Sequence, residues 1–246
     1  MNQRENQDQQ NRIDWVALIA ALATGAVFLV ATINGPNVVF TIGASVFWVT
    51  FVALRIHRDR DALVNWGFRL DNLREAARVP AALFVVAAVA FAAYAGAKHQ
   101  FRFPAHTLPL FVLYPFWGVI QQFLVLGILV NNLEKVGALR RRPTILVLIG
   151  TVVFGAIHLP DPVLSAGTTL LALVYVPLFL RHRNVLPLGV VHGWIATLFY
   201  LWVLGRDVWT ENCCPGVGAR YLTNAADFAF TLVLKTGVIV WIRSCC

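Results

Sequence analysis

Residues 118–127 read GVIQQFLVLG, with two adjacent glutamines, Gln121 and Gln122, in a run otherwise made of Gly, Val, Ile, Phe and Leu. The apolar stretch around them reaches from about residue 108 to about 133, long enough to cross a bilayer as a helix. A primary amide in hydrocarbon costs roughly 2–7 kcal/mol unless it finds hydrogen-bond partners. The pair must therefore face other helices rather than lipid, which already implies a bundle with a polar interior.

Composition agrees with that reading. The 246 residues are 59% hydrophobic and only 13% charged, too apolar for a soluble surface. Backbone groups in a bilayer must be satisfied internally, and the apolar runs are of helical length. The expected fold is all-α: a polytopic membrane helical bundle of about eight transmembrane helices, near 15–33, 36–54, 79–97, 108–133, 144–159, 162–180, 185–204 and 227–242. The fifth and sixth are joined through LPDP, where Pro160 and Pro162 break the helix and force a tight hairpin. Residues 1–14 are polar and Gln/Asn-rich, and read as a disordered tail rather than a cleaved signal. Residues 15–246 read as one transmembrane domain.

The formal charge of +8 does not point to nucleic acid, because the basic residues lie in short loops between apolar spans. There they set orientation and meet anionic lipid headgroups. With the N-terminus in the cytoplasm, one side receives Arg4, Arg12, six arginines of 55–78, Lys135, Arg140–Arg142, Arg181, Arg183 and Arg243. The other receives Lys98, Arg102, Arg206 and Arg220. The imbalance favours both termini in the cytoplasm, and the expected location is a bacterial or archaeal cell membrane. Cys213 and Cys214 then fall outside, and Cys245 and Cys246 inside, so the two pairs cannot bridge each other.

Polar side chains at membrane depth mark function more often than surface ones do. Gln121 and Gln122 lie in the fourth span, His158 at the end of the fifth, His192 in the seventh and Lys235 in the eighth; no Asp or Glu lies in the interior of a span. Lys235 lacks the carboxylate counter-ion a retinal Schiff base would need, and the two histidines sit at depths unsuited to a shared haem. No cofactor and no metal is expected, since two imidazoles are the only strong ligands.

The order of these residues resembles the CPBP family of intramembrane proteases, which includes the type II CAAX prenyl endopeptidases. In that family an EExxxR motif is followed by Phe-x-x-x-His and then His-x-x-x-Asn on successive core helices. Here Gln121-Gln122-Phe-Leu-Val-Leu126 occupies the first place, followed by Gly127; Phe154-Gly-Ala-Ile-His158 matches the second; His192-Gly-Trp-Ile-Ala196 keeps the third histidine without the asparagine. NWGFRLDNLREA also looks like the segment that often precedes the family's core, so the resemblance covers roughly residues 65–204. It implies Gln121, Gln122, His158 and His192 as catalytic positions.

The resemblance also implies that the two family glutamates activate a water and pass a proton to the leaving amine. A carboxylate can change protonation state near working pH; an amide cannot. Leu126 removes the cation at the arginine position, and its loss accompanies the loss of the acids consistently, since an unpaired buried cation is costly. The expected product is a neutralised pocket. Three functions compete: a non-proteolytic binding or regulatory relative, a membrane enzyme acting on a lipid or isoprenoid through the retained histidines, and a genuine CAAX-type endopeptidase. Expected partners are membrane lipid and an isoprenoid or hydrophobic peptide ligand, the latter in a pocket shaped by Tyr114, Phe116, Trp117, Trp194, Phe199 and Tyr200.

Depth gives an expected geometry at about 1.5 Å per residue. Gln121 and His192 reach similar levels and can meet, whereas His158 stands about 10 Å further out if its helix begins at residue 144.

Overall fold

The computed structural model describes residues 13–33 and 38–207. Its regular elements are all helical. Seven principal helices are α1 (Trp15–Ile33), α2 (Val38–Arg58), α3 (Leu73–Ala97), α4 (Thr107–Glu134), α5 (Pro143–Ala156), α6 (Pro162–His182) and α7 (Leu186–Val203). Five of them, α2, α3, α4, α6 and α7, are long and apolar enough to cross a membrane, and α1 and α5 contain shorter apolar stretches. Seven of the eight expected spans are thus helices at the expected places. The eighth, with Lys235 and the four cysteines, lies outside the described residues, as do residues 1–12 of the polar tail.

Burial separates centre from rim. In α4 and α7, 56% of the apolar window is buried, against 6% in α2 and 11% in α3. Helices that are apolar all round belong in the middle of a bundle, and the stretch after the glutamines shows why: Phe123 and Val125 to Val130 are all buried. This stretch, Phe123–Val130, winds as a π-helix within α4. A second π-helical segment, Phe199–Val203, ends α7. Such widened turns recur at functional sites in helices.

The crossing of α4 and α7 is the tightest in the bundle. A Cβ on Gly189 would lie 2.4 Å from Val119 Cα, one on Gly193 2.4 Å from Pro115 N, and one on Gly118 2.4 Å from the Gly189 carbonyl oxygen. Only glycine admits such backbone approach. The GVVHG sequence of 189–193 is therefore a small-xxx-small contact, which lets helices associate where lipid offers no hydrophobic drive.

Each end of the bundle is tied by polar contacts. At one end Arg183 pairs with Glu134, and its Nη1 also reaches Asn131 Oδ1 at 3.4 Å. There the WGFRL loop is clamped: Val185 N donates to Gly67 O (2.8 Å), Asn184 Nδ2 to Arg69 O (2.8 Å) and Asn72 Nδ2 to His182 O (2.6 Å). Gly67 adopts φ 92°, a left-handed conformation favoured by glycine. Asp14 pairs with Arg55 and, through its backbone N–H, with Asn132 Oδ1 (2.7 Å), fastening α1 and α2 to α4.

At the opposite end, the LPDP hairpin forms as expected. Asp161 caps α6 by accepting from Val163 N and Leu164 N, both at 3.0 Å, with Pro162 in the first turn. Arg206 reaches Asp161 at 3.3 Å, and His106 Nε2 pairs with Asp207 Oδ2 at 2.5 Å. The end of α7 is thereby fastened to α6 and to the start of α4.

Candidate functional site

Helix α4 brings Gln121 and Gln122 to the interior immediately before its π-helical stretch, and both are buried. Helix α7 brings His192 against them, held by the glycine contact on either side of it. His192 Nε2 lies 3.0 Å from Gln121 Oε1. An amide oxygen only accepts, so the imidazole carries its proton on Nε2 and donates it. In its neutral form the ring then keeps a lone pair on Nδ1. That lone pair is buried and has no hydrogen-bond partner among the described residues, and neither has Gln122 Nε2.

His158 follows the last turn of α5. Its Nδ1–H donates to the Phe154 carbonyl at 2.7 Å, one turn back. It meets the glutamine–histidine pair through Phe154, whose ring is 5.0 Å from the His158 ring and 5.4 Å from the His192 ring, edge-on to both. The Phe28 ring of α1 also lies 6.2 Å from the His158 ring. His158 is thus joined to the pair by an aromatic link through Phe154, and its own hydrogen bond goes to the Phe154 carbonyl.

Leu126 lies in a buried cluster with Val125, Phe154, Tyr175, Phe179 and Leu188. Among the residues of that cluster Tyr175 carries a hydroxyl. Among the described residues no hydrogen bond or ion pair joins a carboxylate to Gln121, Gln122, His158 or His192. Two imidazoles and two neutral amides give no anionic donor for a hard or borderline cation. Among the described residues no group of three His, Cys, Asp or Glu side chains is placed to hold a metal ion. The donor set does not fit a metal centre.

The six aromatics expected to shape one pocket divide among several environments. Phe116 is about half exposed on the outer surface of α4. Trp194 donates its indole N–H to Phe111 O (2.9 Å) and packs on Phe84, while Phe199 packs on Phe91. Trp117 joins the cluster containing Trp48 and Phe123. Tyr114 and Tyr200 line a small crevice at the Asp161 end, together with Thr107, Thr197 and Arg206. Helical geometry supplies part of the reason: on α4 Phe116 points away from the face shared by Tyr114 and Trp117, and on α7 residues 194, 199 and 200 point in different directions.

Sequence reasoning passed over Thr151 and Tyr175, whose buried hydroxyls have no partner among the described residues. It also passed over the glycine contact, which GVVHG signals plainly.

Fold and site together define an integral membrane helical bundle with a buried glutamine–histidine centre. Residues 103–198 match the family described as type II CAAX prenyl endopeptidase Rce1-like. The matched segment contains all four candidate site residues and runs from just before α4 into α7. No curated protein and no solved structure matches the chain.

Proposed function

We propose that this protein is a non-proteolytic binding or regulatory relative of the CAAX-type endopeptidases, with the catalytic centre turned into a neutral hydrogen-bonding pocket open to an apolar ligand such as an isoprenoid or a hydrophobic peptide. The observation that carries the reading is the His192–Gln121 hydrogen bond of 3.0 Å. It engages the imidazole with a group that has no useful pKa, where water activation needs a base able to take a proton and return it. Leu126, fully packed among apolar side chains, supports the same reading, because it leaves no cation to hold a carboxylate ionised.

The retained lone pair on His192 Nδ1 favours a second reading, an enzyme acting on a lipid or isoprenoid with that nitrogen as base. The two readings separate on turnover. The combined variant Gln121→Glu/Gln122→Glu/Leu126→Arg/Ala196→Asn tests the first: cleavage of a prenylated peptide by this variant, with none by wild type, supports a neutralised protease site. Equal cleavage by both contradicts it.

A further inference from the structure

The junction of α3 with α6, at the Arg183 end, holds two cations that the fold leaves unused. Arg74 and Arg78 stand one turn apart on α3, both exposed, and among the described residues no hydrogen bond or ion pair engages either. They line one open cavity of about 290 Å³, together with Asp71, Asn72 and Glu75. Ligand pockets run from roughly 300 to 1,000 Å³, so this one suits a head group rather than a whole lipid. Its walls are tied down. Asn72 Nδ2 donates to His182 O at 2.6 Å, and Asn72 Oδ1 accepts from Asn184 Nδ2 at 2.8 Å. The two carboxylates at the cavity turn to other partners: Asp71 Oδ1 accepts from Arg69 Nε at 3.1 Å, and Glu75 Oε1 lies 4.0 Å from His182 Nδ1. Arg74 and Arg78 are therefore the cavity's uncommitted donors.

Position along α3 says what they face. From Arg78 to Ala97 the helix rises about 30 Å, the thickness of the hydrocarbon core. Arg78 thus stands at the boundary of that core, and Arg74 one turn further into the head-group layer. Arg78 also begins a stripe of exposed residues at helical spacing, Ala82, Val85 and Val89, on a helix apolar enough to cross a membrane. A lipid whose chains lie along that stripe brings its phosphate to the two guanidinium groups.

We propose that the Arg74–Arg78 cavity is a binding site for the head-group phosphate of an anionic membrane phospholipid. Guanidinium groups hold phosphate oxygens through paired N–H···O bonds, with a geometry that a lysine ammonium does not offer. The stripe below Arg78 favours a lipid phosphate over a free one, because it gives the acyl chains a surface continuous with the cavity. The site differs from general attraction between a basic face and an anionic leaflet in having fixed walls and two named donors. It is separate from the Gln121–His192 pair and stands whatever that pair does.

The test is equilibrium binding of radiolabelled dioleoyl phosphatidylglycerol to the purified full chain in detergent. Wild type is compared with Arg74→Gln/Arg78→Gln and with Arg140→Gln/Arg141→Gln, a control that removes the same charge from exposed, unpaired arginines at the same end. Arg74 and Arg78 are likewise exposed and unpaired, so their variant keeps its fold. A basic residue beside anionic lipid contributes about a fivefold change in affinity, so Arg74→Gln/Arg78→Gln should bind about 25-fold more weakly. The control should change less than twofold. Equal losses in the two variants would reduce the site to the general charge of this face and overturn the proposal, as would no loss in Arg74→Gln/Arg78→Gln. In competition, unlabelled phosphatidylglycerol should displace the label, whereas dioleoyl phosphatidylcholine and excess inorganic phosphate should not. Displacement by phosphatidylcholine as effective as that by phosphatidylglycerol refutes recognition of an anionic head group. Displacement by inorganic phosphate assigns the cavity to free phosphate and overturns the lipid.

Discussion

The Nε2–H of His192 donates to Oε1 of Gln121 at the point where Gly189 and Gly193 bring the backbones of α7 and α4 into contact. Backbone approach and side-chain pairing are one device: the glycines remove the bulk that would hold the two polar groups apart. The bond places a proton on Nε2 and commits the amide's oxygen.

Replacing Gln121 by Leu leaves the His192 N–H buried and unpaired. We expect a loss of about 1–3 kcal/mol in unfolding free energy. A double-mutant cycle with His192→Phe should return a coupling of about 0.6–1.7 kcal/mol, the range seen for hydrogen bonds between membrane helices. Reversible unfolding in mixed micelles measures both, and a coupling of zero would show that the bond does not form.

Gly193→Ala places a methyl 2.4 Å from Pro115 N, where neither backbone can yield without separating the helices. It should cost about 1–3 kcal/mol or more, as overpacking does. Gly43→Ala is the control, since a Cβ there meets nothing within 4 Å. It should be neutral, or stabilising by up to about 1 kcal/mol through helix propensity. Comparable thermal shifts from the two variants would contradict a close glycine crossing.

Leu126→Arg buries a cation among Phe154, Tyr175 and Leu188. An uncompensated buried charge costs about 3–5 kcal/mol, so the variant should be poorly recovered from membranes. Leu126→Met should cost less than about 1.5 kcal/mol. Adding Gln122→Glu to Leu126→Arg should recover part of the loss. Yield of folded protein by size-exclusion chromatography reports all three, and full tolerance of Leu126→Arg alone would show that the site is not closed to charge.

Orientation is open to direct labelling. Arg69, Arg74, Arg78, Lys135, Arg140–Arg142, Arg181 and Arg183 lie at or near the Arg183 end, while Lys98, Arg102 and Arg206 lie at the other. Positive residues stay cytoplasmic, so Cys213 and Cys214 should react with an impermeant maleimide on intact cells and Cys245 and Cys246 should not. The reverse pattern would invert the topology.

Much of this was legible in the sequence, for reasons that particular residues make clear. Span positions follow from runs of apolar residues, and the LPDP hairpin from two prolines flanking a helix-capping aspartate. The meeting of Gln121 with His192 follows from their depth in helices of known rise. The π-helical turn at Phe123–Val130 leaves no such trace, because every residue in it is apolar and packs equally in either winding. The aromatic link through Phe154 was hidden for a related reason: a ring reaches past one turn, so depth along the axis does not fix its contacts. Thr151 and Tyr175 escaped notice because hydroxyls are common in helices, where they usually bond to the preceding turn; only the structure shows that these two do not.

The most direct test of the central claim is a cleavage assay with the purified wild-type chain, in lipid nanodiscs, on a prenylated CAAX peptide and on a hydrophobic unprenylated one. Loss of a general base typically removes about two to four powers of ten in rate, and both amide positions lack one. We predict no cleavage above a protein-free control. Cleavage by wild type that disappears in His158→Ala would contradict the account, because it would show that a histidine carries the proton the amides cannot.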